Sequence, residues 1–242
     1  MGDWFNLGYR AHARGFEGAA ADLARLLGRA AKLHDCRRVL DAGFGGGAQL
    51  GIWLDEFRVG KVVGVEQGPS PAFASRDERL ELSRGDATRP AEVISSPGEF
   101  DRVLALDCAY HFDPRDDFLR AAFACLRSGG RLALTDIVPR NPKHSLVRRM
   151  LFRVLGLPLV NMVSRADYGA RLREIGFRNV RIQLLDRAVL GGFERFARSN
   201  RLGRGCSLTP AQRIKFFLTG LMLGPINRRR IFHYVLVTAD KK

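Results

Sequence analysis

Cysteine is scarce in this chain, and the few present do not pair. Among 242 residues there are four, Cys36, Cys108, Cys125 and Cys206, with no Cys-x-x-Cys spacing. That argues against a disulfide framework and against a zinc site. Cys36 and Cys125 read as small buried apolar residues, while Cys108 lies at a strand end where it can touch a site. Nothing at the N-terminus reads as a signal peptide, so a reducing cytoplasm is the expected compartment. No run of about 20 uncharged apolar residues exists, which rules out a membrane-spanning helix on this reading. Tethers are missing too. The turn-rich spots at 66–71 and 95–98 are short, and no repeat or low-complexity tract appears, so one α/β domain with a substantial core is expected.

The more telling shortage is of acids. Residues 1–139 carry 18 Lys and Arg against 20 Asp and Glu, whereas residues 140–242 carry 22 against 5. A general excess of arginine would not remove carboxylates from one half. A field of that size attracts something anionic.

What is present starts at Arg38 to Gly47, a short apolar strand running into a glycine turn, with Asp41 two residues ahead of the first glycine. Gly43, Gly45 and Gly47 let backbone pass close to a ligand, and Ala48 to Leu50 can open a helix whose amides point at it. The stretch from Gly43 to Ala48 also fits the loose dinucleotide fingerprint G-x-G-x-x-A, with Glu66 about 20 residues on. Asp41 separates the two readings. A carboxylate there is unhelpful to a pyrophosphate but favourable beside the ammonium and sulfonium of S-adenosyl-L-methionine.

Further strands follow in the order an open α/β sheet requires. Lys61 to Glu66 reads as a buried second strand ending in a carboxylate able to accept from ribose hydroxyls, with Gln67 next to it. A third strand from Leu80 leads to Asp86 and Ala87, where the acid can accept from an adenine amino group. Phe100 to Asp107 is the fourth and Gly130 to Asp136 the fifth. Ligands of such sheets bind at the carboxyl ends of strands, where these acids fall.

Residues 38–138 resemble class I S-adenosylmethionine-dependent methyltransferases, on D-x-G-x-G-x-G from Asp41 to Gly47, the acidic strand end at Glu66, Gly-Asp-Ala at 85–87, and the segment from Leu126 to Asp136. Asn6 to Tyr9 and Ala109 to Phe112 are similar to the small-molecule branch, in which an N-terminal segment closes over the cofactor and a histidine follows strand four. The resemblance implies a Rossmann-like, mostly parallel seven-stranded sheet with helices on both faces. Its last strand would be antiparallel, inserted between strands five and six, and extra helices would form a cap. It also implies a single methyltransferase domain over 1–242, with 139–175 and 186–230 as lid elements. Tyr9, Asp41, Gly43, Gly45, Gly47, Glu66, Gln67, Asp86, Ala87 and Asp107 then hold the cofactor.

Methyl transfer from a sulfonium asks the protein for alignment, desolvation and, where the nucleophile needs it, proton removal. His111, four residues past Asp107, is placed to be that base; the competing readings are a histidine that caps the helix starting at 113–117 or one that only positions substrate. Tyr110 and Asp136 are the other expected substrate contacts, either able instead to shape loops. Asp107 and Asp136 are too few for a magnesium-assisted reaction.

The basic half is also greasy. From Ser145 to Leu155, Leu146, Val147, Met150, Leu151, Val154 and Leu155 are expected on one helical face, with Arg148, Arg149 and Arg153 around the other. Helices over 165–175, 189–199 and 210–223, a sixth strand over 177–185 and a final strand over 231–237 complete the expected order. The arginines are either a solvated face or the rim of an interfacial lid that admits a lipophilic small molecule or rests peripherally on an anionic membrane. Nucleic acid is the rival polyanion, but no RNA-binding module is recognisable. An RNA methyltransferase, an NAD(P)-dependent oxidoreductase and a cofactor-binding scaffold without turnover are the alternative functions.

Overall fold

The computed structural model describes residues 4–11, 15–89, 98–141, 146–198 and 210–242. Seven strands form one sheet: β1 Arg38–Ala42, β2 Lys61–Glu66, β3 Leu80–Arg84, β4 Phe100–Ala105, β5 Leu126–Pro139, β6 Arg178–Leu184 and β7 Phe232–Asp240. Their order is β3-β2-β1-β4-β5-β7-β6. β7 runs antiparallel to both neighbours while β1 to β5 pair in parallel, as the resemblance implied. The order reverses between β1 and β4, so the carboxyl ends of those strands border the crevice where α/β sheets take ligands.

Two strands end earlier than the sequence suggests. β4 stops at Ala105 because Asp107 takes a left-handed φ of 57° and its N–H donates to the Thr135 hydroxyl at 2.8 Å, turning the chain out of the sheet. β3 stops at Arg84, leaving Asp86 and Ala87 in the following turn. β5 and β7 are longer than expected because their ladder runs from Arg131 opposite Asp240 to Pro139 opposite Phe232.

Helix α1, Phe16–Ala31, precedes the sheet and was not expected from the sequence. Its signal is nevertheless there: Phe16, Ala19, Ala20, Leu23, Ala24 and Leu27 recur at helical spacing and are buried. Together with α2, Ala48–Gly51, the π-helical turn Ile52–Glu56 and α6, Leu190–Arg198, it covers one face of the sheet. α3, Arg115–Cys125, and α5, Arg165–Ile175, cover the other.

A smaller apolar cluster lies apart from the two sheet faces. There α4, Leu146–Val154, meets the carboxyl end of α7, Pro210–Arg228, through Phe152, Leu157, Met162, Ile226 and Phe232. The inward face of α4 differs from the expected one. Phe152 is buried with its ring 5.4 Å from that of Phe232, while Met150 and Val154 are 70% and 67% exposed beside Arg149 and Arg153. The bulkiest side chain sets the rotation of so short a helix, and the remaining apolar residues go where 100° per residue puts them. The side chains of residues 146–148 and Cys206 lie outside the described residues. Among those residues, no helix is long and apolar enough to cross a membrane.

Candidate active site

The glycine turn after β1 is built on left-handed backbone. Gly43, Gly45 and Gly47 have φ of 72°, 55° and 82°, a region that other L-residues avoid. Space is as restrictive as conformation. A Cβ on Gly45 would stand 3.0 Å from the Phe5 ring, and one on Gly47 would overlap the Ala72 methyl.

Beneath this turn Asp41 is completely buried. Its Oδ2 accepts from Trp53 Nε1 at 2.8 Å and Gln49 Nε2 at 3.3 Å, whereas Oδ1 has no hydrogen-bond partner among the described residues. Burial pushes this carboxyl up to about 6 against the pull of those two donors. Trp53 and Gln49 were not anticipated from the sequence. The π-helical turn carries Trp53 inward, and only the fold reveals that α2 and this turn supply the ligands of Asp41.

Glu66, at the end of β2, is anchored by backbone. Its Oε2 accepts from Gly45 N at 2.8 Å and its Oε1 from Gly68 N at 2.8 Å. Each oxygen keeps a lone pair for another donor. Gln67 is exposed next to it, its carbonyl accepting from Arg84 Nε at 3.1 Å. Asp86 accepts from both the amide and hydroxyl of Thr88 at 2.8 Å. Burial would raise its carboxyl, but those hydrogen bonds prevail and hold it below the usual range. Ala87 is buried against the sheet.

Past β4, a turn of 3-10 helix, Ala109–His111, presents Tyr110 and His111. His111 is exposed, its ring centroid 4.5 Å from that of Tyr110, and its Nδ1 lies 3.3 Å from the Gly156 carbonyl just after α4. It does not cap α3, whose N-cap is Pro114 with no side-chain hydrogen bond. Tyr110 donates to Asp107 Oδ1 at 3.0 Å. Cys108 Sγ donates to the Ala42 carbonyl at 3.2 Å beneath the glycine turn, and burial pushes its thiol well above the ordinary value.

Two of the expected contact residues have their carboxylates engaged by protein groups. Asp136 is fully buried, its Oδ2 2.9 Å from Arg115 Nη1 and its Oδ1 accepting from Ile137 N at 2.7 Å. Arg115 also donates to the Asn161 carbonyl at 3.3 Å and stacks 4.1 Å from the Tyr168 ring centroid. Asp107 turns to the protein as well, accepting from Leu7 N, Tyr110 and Tyr234. Tyr9 sits on the N-terminal strap with its N–H donating to Ala19 O at 2.7 Å and its ring against the core.

The arrangement fits a cationic cofactor. An orphaned buried carboxylate oxygen, a glycine cradle and a second carboxylate anchored by that cradle lie together at the carboxyl ends of β1 and β2. Comparison with known proteins agrees. Residues 9–182 match a family model described as a methyltransferase domain. Erythromycin 3''-O-methyltransferase of Saccharopolyspora erythraea is 35% identical over 75% of this chain and 64% of its own length. Ubiquinone biosynthesis O-methyltransferase of Pseudomonas aeruginosa is 30% identical over 56% of the chain and 57% of its own length. The chain thus spans less than two thirds of these curated relatives. Among solved structures, geranyl diphosphate C-methyltransferase from Streptomyces coelicolor, in complex with Mg2+, geranyl diphosphate and S-adenosyl-L-homocysteine, superposes with a TM-score of 0.76. It is 17% identical, over 98% of this chain and 91% of that one. With the family model covering most of its sheet and the glycine turn in place, the chain belongs to the methyltransferase domain family of the class I S-adenosylmethionine-dependent fold.

Proposed function

We propose that this protein transfers a methyl group from S-adenosyl-L-methionine to an oxygen of a small, lipophilic acceptor, as one domain whose segments 139–175 and 186–230 cap the site. The observation that carries the reading is the unpartnered, buried Oδ1 of Asp41 under a left-handed glycine turn. A phosphate would meet an anion there; an ammonium meets its counter-charge. The cofactor, when bound, supplies a methyl group already activated by its sulfonium.

The chain's own residues do the rest. Asp41 accepts from the cofactor's ammonium, and Glu66, held by Gly45 and Gly68, accepts from its ribose hydroxyls. Asp86 and the neighbouring Gln67 and Ala87 border its adenine. With Nδ1–H donating to the Gly156 carbonyl, His111 keeps its Nε2 lone pair free to take the proton of an acceptor hydroxyl. Because Gly156 follows α4, cap position and base orientation are linked. The ring of Tyr110 forms a wall beside it. Oxygen as acceptor atom draws on the names of the two curated relatives.

A second reading concerns where the cap sits. On α7, Ile214, Phe217, Leu218 and Leu221 form an exposed stripe at i, i+3, i+4 and i+7, and Met150 and Val154 are exposed on α4. The segment 140–242 carries a net charge of +17. Apolar stripes within a basic surface suit peripheral contact with an anionic membrane, the occupant this charge favours.

The test is a transfer assay with methyl-labelled cofactor against lipophilic phenols, quinone precursors and hydroxylated macrocycles. Label should appear on oxygen, and His111→Ala should slow turnover by about 100-fold or more while sparing cofactor affinity. Binding of NADP in place of S-adenosylmethionine would refute the proposal.

A further inference from the structure

We infer that Asp107 is a latch: a positioning residue whose carboxylate ties the N-terminal strap, residues 4–11, to the turn that carries His111. The inference rests on the glycine turn being the cofactor cradle, and it gives Asp107 a different task from direct contact with the cofactor.

Three parts of the chain converge on this one side chain. Oδ2 accepts from the backbone N–H of Leu7 at 2.6 Å, across 100 residues of sequence. Oδ1 accepts from the hydroxyl of Tyr110 at 3.0 Å and from that of Tyr234, on β7, at 2.8 Å. The carboxylate is 6% exposed, so these donors replace water rather than compete with it. Its own backbone is locked by the left-handed φ of 57° and by the bond from Asp107 N to Thr135 Oγ1 on β5. A side chain pinned from behind and accepting from three directions defines where each donor must sit.

The strap shows what is being positioned. Asn6 donates to Ala20 O at 3.3 Å and accepts from Gly8 N at 2.9 Å; Tyr9 N donates to Ala19 O at 2.7 Å and Arg10 N to Ala188 O at 2.9 Å. Those bonds hang the strap on α1 and on the turn before α6, both beside the sheet. The Leu7 bond is what draws it onto the carboxyl end of β4. Two residues earlier, Phe5 lies over Gly45, so the strap crosses the crevice between the glycine turn and the His111 turn. Since Tyr110 shares the carboxylate with Leu7 and adjoins His111, strap closure and placement of the base are set by a single group.

The chain's two tryptophans make closure readable. Trp53 is fully buried, whereas Trp4 rides on the strap and is half-buried. Acrylamide quenching of the full-length protein therefore reports Trp4. Leu7→Pro deletes the strap's donor while leaving Asp107 and both tyrosines; Asp107→Ala deletes the acceptor. Each variant should raise Trp4 quenching severalfold without cofactor present and raise the KM for S-adenosylmethionine about tenfold. Leu7→Pro should spare kcat at saturating cofactor, while Asp107→Ala lowers it because Tyr110 is also released. The double variant should quench no more than either single one, as expected when both changes break one interaction. Unchanged quenching and KM in folded Leu7→Pro protein, or additive effects in the double variant, would overturn the latch; should Asp107→Ala not fold, Leu7→Pro decides alone. Because the quenching contrast needs no cofactor, failure of the wild-type protein to bind S-adenosylmethionine would sink the cofactor reading separately.

Discussion

Replacing Asp136 by asparagine decides whether that residue belongs to the active site or to the frame beneath it. Arg115 and Asp136 face each other at 2.9 Å with side chains 1% and 0% exposed. Arg115 also reaches the Asn161 carbonyl, and its backbone N–H donates to Asn161 Oδ1 at 3.0 Å, so the pair fastens the start of α3 to the turn beyond α4. Asp136→Asn keeps the shape but leaves a guanidinium buried without its counter-charge. Loss of one partner of such a pair costs about 3–5 kcal/mol, a large share of the roughly 5–15 kcal/mol that holds a protein folded. In urea, with a slope of about 3 kcal/mol per molar for a chain of this size, the midpoint should fall by about 1–2 M. Arg115→Met retains much of the stacking on Tyr168 and should cost a comparable amount. The double variant should be more stable than the sum of the two by about 2 kcal/mol, because neither charge is then stranded. Equilibrium unfolding followed by circular dichroism measures all four proteins. A midpoint for Asp136→Asn within about 0.3 M of wild type, with collapsed turnover, would return Asp136 to the substrate site and refute the frame argument.

Two other outcomes follow from charge. Cofactor-free Asp41 titrates near 6 because burial disfavours its anion, so its ionisation destabilises the apo fold as pH rises from about 4 to 6, where the unfolded carboxyl has already lost its proton. An ammonium at Oδ1 pulls that value down, so binding of S-adenosylmethionine should release close to one proton below pH 6 and strengthen by up to about tenfold per unit toward it, levelling off above. Calorimetry in buffers of different ionisation enthalpy counts that proton, and Asp41→Asn should abolish it; a pH-independent affinity would place the ammonium elsewhere. The cap helices should sediment the protein with anionic vesicles but not with zwitterionic ones, reversibly in high salt, and Phe217→Ser with Leu218→Ser should weaken the association. Equal behaviour of the two vesicle types would leave the arginines as solvated surface.

Local chemistry made the sheet and the glycine turn readable in advance. Short apolar runs bordered by glycine mark β1, β2 and β5, and left-handed φ at positions 43, 45 and 47 is something only glycine adopts cheaply. Asp41 and Glu66 adjoin those turns in sequence, which is what made them candidates for cofactor contact. α1 carried an equally local signal, its apolar spacing from Phe16 to Ala31.

What only the tertiary structure decided concerns partners far apart in the chain. Asp107, Asp136 and Glu66 all lie at or near strand ends, and nothing local distinguishes a carboxylate that accepts from the glycine turn from one that meets Arg115 or Leu7. The partners of Asp107 come from residues 7, 110 and 234, brought together because β7 inserts beside β5 and the strap folds back over the sheet. The rotation of α4 was hidden for the same reason: its amphipathic pattern permits several faces, and packing of Phe152 on Phe232, 80 residues later, selects one. A sequence states which groups need partners; the cost of leaving them buried and unpaired, settled across the whole fold, chooses which partners they receive.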